Sequence, residues 1–344
     1  MSPTWRMTRE IEEQPDLFEG LVDDWMTRVD ELQKQIESRS QLVLVGRGSS
    51  KNASVYTSYI YALATGRHAI EFRPWMTVRD TPRQDWSNAT VFAYSSSGQS
   101  TDIAHAAHWL AERGAYVLGI TNATDANCRL GQSSNALFQM GLGDELAVPA
   151  TKSFNAQLLV SAALLGFDLP DALPEITASM RTLLDGHATH RLANLLEGAR
   201  TTAWIARGPA MGVARDAALK CRECARYDAT GWSAAEIQHG HIASFDHRDR
   251  VVIFSDANEP VGSFSSVSKT LLNQGTPFAV IGLDYYRHNG GAPAPVIPID
   301  LPDQLWARAP VFAFLSQQTA LELANRLDLN PDAPAGLSKV TETI

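Results

Sequence analysis

The sequence predicts an α/β protein of two tandem subdomains, each a parallel sheet flanked by helices. Three observations predict it: short apolar runs that end in Gly/Ser turns, helical patterns between those runs, and a repeat of the scheme about 160 positions later. Leu42-Val43-Leu44-Val45 ends in Gly46-Arg47-Gly48-Ser49-Ser50, and Val91-Phe92-Ala93-Tyr94 ends in Ser95-Ser96-Ser97-Gly98-Gln99-Ser100. A helical pattern from Asp102 to Arg113 follows, and then runs over 115–120 and 136–140. Continuous apolar runs bounded by turns suit strands buried on both faces, and their alternation with helices suits a parallel sheet.

The second half repeats the order. Ala203–Gly208 parallels Val43–Gly48, Val251–Ser255 parallels Val91–Ser95, Phe278–Gly282 parallels Tyr116–Ile120, and Val296–Ile299 parallels Ala136–Gln139. Four strands in one order at a near-constant offset read as a duplicated domain. The expected layout is an N-terminal helical segment over 1–38, a first subdomain over 39–185, a second over 195–329 and a proline-rich tail over 330–344, with a linker near Leu184–Leu195. The N-terminal helix is expected from about Asp16 to 38, its apolar face carrying Leu17, Leu21, Trp25, Val29 and Leu32.

Of the 344 residues 44% are hydrophobic and 19% charged, a balance that permits a sizeable core. The formal net charge of -9 argues against a general nucleic-acid or anionic-membrane surface, so any anion must be held by local geometry. Three cysteines suit a reducing compartment, and neither a signal-peptide pattern nor a membrane-length apolar run is read. The expectation is a cytoplasmic protein.

Ligands of open parallel sheets bind beyond the carboxyl ends of the strands. The serine loop lies there, ahead of a helix start at Thr101-Asp102, where unpaired N–H groups suit a phosphate. Serine hydroxyls add donors and Gly98 permits close approach, although serine–glycine stretches also serve simply as turns and caps. Cys221-x-x-Cys224 reads as two packing residues rather than a redox or zinc pair. His105-x-x-His108 and His187-x-x-His190 read as helix-surface pairs, and no metal or organic cofactor is expected.

Several motifs together resemble the sugar isomerase (SIS) domain family, in particular the isomerase half of glucosamine-6-phosphate synthase and the SIS-type glucosamine-6-phosphate deaminases. They are Gly46–Ser50, Ser95–Ser100, Glu145 through Ala150-Thr151-Lys152-Ser153-Phe154, Ala218–Glu223, Ala235–Gly240 and Pro334–Thr341. The resemblance covers nearly the whole chain and implies two SIS subdomains per chain, assembled as a homodimer. It implies that Gly48, Ser49, Ser50, Ser95, Ser96, Ser97 and Ser100, with Val148 and Ser338, contact the phosphate or sugar. Glu223 falls on the family's proton-transfer glutamate. His239 falls on the histidine that helps open the sugar ring, reaching the neighbouring subunit's site. Lys339 falls on the tail lysine that folds over the C1 end of the sugar. Two positions depart from the pattern: Ala150 stands where the synthase has a hydroxyl residue, and His241 stands where proline is usual.

The synthase draws ammonia from a glutaminase domain with an N-terminal cysteine. This chain starts Met1-Ser2 and shows no such domain. The expected reaction is therefore conversion of glucosamine 6-phosphate to fructose 6-phosphate and ammonia. The related alternatives are a fructosamine-6-phosphate deglycase and a galactosamine-6-phosphate deaminase. A non-catalytic sugar-phosphate sensor is the alternative of another class.

Overall fold

The computed structural model describes residues 5–79, 84–255, 262–282 and 295–339. The end of the tail motif, Val340-Thr341, lies outside them. The chain divides into two compact units, one of Asp16–Asp171 with Ala335–Ile344, the other of Met1–Pro15 with Ala172–Pro334.

The first of these units holds strands β1 (Gln41–Val45), β2 (Ile70–Glu71), β3 (Ala89–Tyr94), β4 (Tyr116–Thr121) and β5 (Ala136–Gln139). They pair in the order β2-β1-β3-β4-β5, all parallel. Every residue of β3 is buried, which is why the run Ala-Thr-Val-Phe-Ala-Tyr carries no solvent-facing alternation. The other unit holds β6 (Thr202–Ala206), β7 (Ala229–Ser233), β8 (Arg250–Phe254), β9 (Phe278–Gly282) and β10 (Val296–Pro298). Their order is β10-β9-β8-β6-β7, again all parallel. Read from the other edge this is β7-β6-β8-β9-β10, the same topology as the first sheet, so the repeat expected from the sequence is a repeat of topology.

The helices are α1 (Arg6–Glu12), α2 (Gln14–Glu37), α3 (Gly48–Thr65), α4 (Thr101–Ala111), α5 (Arg129–Gln132), α6 (Lys152–Leu164), α7 (Leu169–Leu183), α8 (His187–Leu196), α9 (Ala210–Ala225), α10 (Gly262–Gln274) and α11 (Arg308–Arg326). On α2, Phe18, Trp25 and Val29 are buried, and the Trp25 indole donates to the Met140 carbonyl just past β5. Leu17, Leu21 and Leu32, expected on that face, are half-buried. One core packs Val43, Val91, Ile103, Leu110, Val117 and Leu130 together; another packs Ala203, Ile205, Val251, Val267, Leu271 and Val280.

The stretch expected as a linker is largely helix α8. Ala188, Leu192, Ala193 and Leu196 recur at helical spacing and are buried, so the segment has a face to bury and folds.

Candidate active site

In a parallel sheet of order 2-1-3-4-5, the crevice opens where the chain leaves in opposite directions, between β1 and β3. The two loops that leave those strands are Gly46–Gly48 and Ser95–Ser100. Gly46 lets the end of β1 pack on the first turn of α3: a Cβ there would lie 2.8 Å from the Ser50 backbone. Ser50 is buried in that turn, and its hydroxyl accepts from the Gln157 amide of α6 at 3.0 Å.

The serine loop is pinned from behind. The Ser95 amide donates to Ile120, while the carbonyls of Ser96 and Gly98 accept from the amides of Asn122 and Leu130, each at 2.9 Å. Thr121 Oγ1 also donates to the Ser96 carbonyl, at 3.2 Å. With these carbonyls committed to Asn122 and α5, an anion entering the crevice would meet the N-terminal end of α4. Behind the loop, the buried Tyr94 hydroxyl joins Thr57 of α3 and Ser161 of α6 at 2.9 and 2.7 Å, and burial pushes its pKa well up. That network holds the strand end rigid and uncharged. Arg47 pairs with Asp102 in the first turn of α4 at 2.7 Å, so a cation lies near the loop although the loop contains none. Arg47, Thr101, Asp102 and His105 also line a cavity of about 480 Å³ with Trp75 and Val78.

Gly98 has φ of +66°, and a Cβ there would lie 2.7 Å from Cys128 Sγ. Gly98→Ala therefore combines a left-handed penalty of about 1–2 kcal/mol with a clash beneath the loop. The expected result is a rise of tenfold or more in the Kd for a sugar phosphate, measured by calorimetry.

After β5 the chain forms a strap through Glu145 and Val148 to α6. The Glu145 carboxylate is buried and accepts from the amides of Thr151 and Ser153 at 3.0 and 2.9 Å and from the Ser153 hydroxyl at 2.7 Å. It also takes a hydrogen bond from Lys339 Nζ at 2.8 Å, and the same ammonium donates to the Ala147 carbonyl at 2.6 Å. Lys339 thus sits beside the strap that carries Val148, which is half-buried, while Ser338 is exposed. Burial alone would raise the Glu145 pKa, but Lys339, followed by Ser153, outweighs it, so the pKa falls below the ordinary carboxylate range. A depressed folded pKa stabilises above the unfolded value, about 4.3. The contribution is lost only as pH falls through the lower, folded value. Protection of the tail at Leu337–Lys339, taken as exchange relative to the intrinsic rate at each pH, should therefore hold down to about pH 4 and fall below it.

The other unit carries Glu223 and His239. Glu223 lies in the last turn of α9, its side chain 17% exposed, paired with the wholly buried Lys220. Asp216, Lys220 and Glu223 share one helix face at spacings of four and three. Burial would lower the Lys220 pKa, but the carboxylates of Glu223 and then Asp216 raise it well above the ordinary lysine value. The thiols of Cys221 and Cys224 are free and buried, and burial pushes Cys221 up to about 12. That is a packing environment, with Cys224 against Met7 Sδ at 3.8 Å. His239 is exposed at the end of the 3-10 turn Glu236–Gln238, its amide bonded to the Glu236 carbonyl. His241 stacks on Trp232, ring centroids 3.8 Å apart at 25°.

Against known proteins, residues 35–166 match the SIS domain, the segment that contains both loops of the crevice. The chain is also 26% identical over 353 residues to the glutamine–fructose-6-phosphate aminotransferase of Pyrobaculum aerophilum, covering 97% of this chain and 56% of that one. It spans about half the length of the curated relatives it matches. Its fold is that of the C-terminal domain of glucosamine-fructose-6-phosphate aminotransferase from Francisella tularensis (TM-score 0.81, 20% identity, 96% and 99% of the two chains). It is likewise that of glucosamine-6-phosphate deaminase from Thermotoga maritima (TM-score 0.75, 20% identity, 98% of each chain). Both sheets of the chain thus follow the architecture of two SIS subdomains.

Within the matched segment the structure brings Gly48, Ser49 and Ser50 to one side of the switch point and Ser95, Ser96, Ser97 and Ser100 to the other. Lys339 reaches the strap after β5 at Glu145 and at the carbonyl of Ala147, the residue before Val148. Sequence reasoning did not single out Gln157, Arg47 or Lys220, nor the tie between Glu145 and Lys339. The signal for Lys220 was its spacing from Asp216 and Glu223; the other ties join residues 55 to 194 positions apart.

Proposed function

We propose that the chain moves a proton between C1 and C2 of an open-chain sugar phosphate, with glucosamine 6-phosphate as substrate and fructose 6-phosphate and ammonia as products. The observation that carries this reading is Glu223, a partly exposed carboxylate fixed on α9 by a buried lysine. A carboxylate held on one face of the substrate can serve two adjacent carbons in turn. Glu223 takes the C2 proton of the open aldehyde, giving an enaminol, and returns it to C1, giving the 2-imine. Water adds to the imine and ammonia leaves, so the balance is one amino sugar phosphate plus one water to one ketose phosphate plus ammonia.

The serine loop, with Gly48, Ser49 and Ser50, is assigned the phosphate; Val148 and Ser338 are assigned the sugar. Lys339 is assigned the C1 end, and His239 ring opening in the site of a second copy of the chain. The names of what the chain resembles support an amino-sugar-phosphate substrate: glutamine–fructose-6-phosphate aminotransferase by sequence and glucosamine-6-phosphate deaminase by fold. Among the described residues no helix is long and apolar enough to cross a membrane.

The test is a panel of glucosamine, galactosamine and fructosamine 6-phosphates incubated with pure protein. Ammonia and ketose are measured, and hydrogen exchange at C1 and C2 is followed in deuterated water. Ammonia from glucosamine 6-phosphate is expected, with exchange at C1. Binding across the whole panel without turnover or exchange would establish a sensor and end the enzyme reading.

A further inference from the structure

We propose that Glu145 is the positioning residue for Lys339, a buried carboxylate that docks the C-terminal tail so that the lysine presents one N–H to the sugar. The inference rests on the reading above for what Lys339 faces, and on the geometry of the strap for how it is held. Lys339 and Glu145 are 194 residues apart, yet Nζ lies 2.8 Å from Glu145 Oε2 and 2.6 Å from the Ala147 carbonyl. An ammonium has three donors. Two are used by the strap, so the third is left for an incoming oxygen.

The anchor is rigid at its own end. The Glu145 carboxylate is 2% exposed, and the first turn of α6 fixes it through Thr151 and Ser153. The helix start supplies N–H groups that would otherwise lack partners, so a carboxylate there is held in position and kept ionised. One carboxylate therefore does two things: it caps α6, and it turns that cap into a dock for a segment from the far end of the chain. The strap that carries Glu145 also carries Val148, so docking brings the lysine beside another assigned substrate contact. The tail before it is irregular from Asn330 to Ser338. Without the dock, little regular structure would fix where the lysine goes.

The consequence is chemical as well as mechanical. A lysine donating to a carboxylate and a carbonyl at once is set up as a fixed hydrogen-bond donor. It would donate to the C1 oxygen of the open chain.

The experiment compares Glu145→Gln, Lys339→Met, the double variant and Ser153→Ala in the full chain. It reads kcat and KM on the substrate that the panel identifies, thermal stability, and amide exchange at 335–339. Glu145→Gln should lower kcat by about 10–100-fold, the scale of losing alignment by about an ångström. KM should move less than about threefold, and exchange in the tail should quicken. The double variant should be no worse than Lys339→Met, because both changes remove one device. Ser153→Ala weakens the α6 cap but leaves the lysine its partner, so its kcat should stay within about threefold of wild type at whatever stability is lost. Equal kcat losses in Glu145→Gln and Ser153→Ala would mean that Glu145 is only a cap, and overturn the proposal. So would a double variant much worse than Lys339→Met, or a fully active Lys339→Met beside an inactive Glu223→Gln. If the wild type turns over nothing, the functional reading fails. Tail exchange in Glu145→Gln then still decides whether this carboxylate docks the tail.

Discussion

Glu223→Gln is expected to abolish turnover while leaving substrate binding nearly intact. An amide of the same shape keeps an oxygen for Lys220 but can neither take the C2 proton nor return it to C1. Loss of a positioned general base costs about 10²–10⁴-fold in kcat. KM should stay within about threefold, because the phosphate is assigned to the serine loop, which the substitution does not touch. The sharpest readout is hydrogen exchange: wild type should incorporate solvent deuterium at C1, and Glu223→Gln should incorporate none. A variant that still exchanges C1 at the wild-type rate would remove Glu223 from the proton path, whatever happened to ammonia release. Glu223→Asp is a useful companion. It keeps the carboxylate but draws it back by one methylene, so exchange should persist at a reduced rate.

How much of this was legible in the sequence depended on the kind of signal each element leaves. β1, β3 and β4 and their later counterparts β6, β8 and β9 are buried on both faces and so appear as apolar runs, while the edge strands β5 and β10 are only partly buried. The strands β2 and β7 left no such trace. β2 is two residues on an edge, and β7 reads Ala-Thr-Gly-Trp-Ser, with a glycine at its centre and no apolar run. Helix α8 begins after Asp185-Gly186, which reads as a turn, and its small apolar face of Ala188, Leu192, Ala193 and Leu196 is easily taken for linker. In the site, the loops after β1 and β3 were legible because glycine and serine at a strand end have a local reason to be there. Ties such as Arg47 to Asp102, Gln157 to Ser50 and Lys339 to Glu145 exist only once the sheet has formed. Lys220 hid for a different reason. A lysine three residues before a glutamate on a helix is ordinarily a solvated pair worth a few tenths of a kcal/mol, and nothing in the local sequence says that this one is wholly buried.

That burial makes Lys220→Met the second large effect. Lys220 is fully enclosed in α9, with Glu223 and Asp216 as its counter-charges. Its raised pKa means that its contribution is complete below the unfolded lysine value, about 10.4, and is lost only as pH rises through the higher folded value. Stability from this cluster should therefore be flat across the neutral range. Methionine fills much of the same space but leaves Asp216 buried without its cation, and Glu223 without the group that orients it. Breaking a buried pair by removing one partner costs about 3–5 kcal/mol. At about 2–4 °C per kcal/mol for a unit of this size, thermal unfolding should begin roughly 6–20 °C lower. Asp216→Asn should offset part of that loss when added to Lys220→Met, because it removes the stranded charge. On its own it should destabilise, because it strips Lys220 of one counter-charge. A double-mutant cycle read by thermal or urea unfolding measures the coupling directly. Activity should separate from stability in the same set: Lys220→Met with Asp216→Asn regains folding but not turnover, since Glu223 is still left without its lysine. Recovery of both together would mean that Lys220 serves the fold of α9 alone, and that Glu223 needs no partner to stay aimed at the substrate.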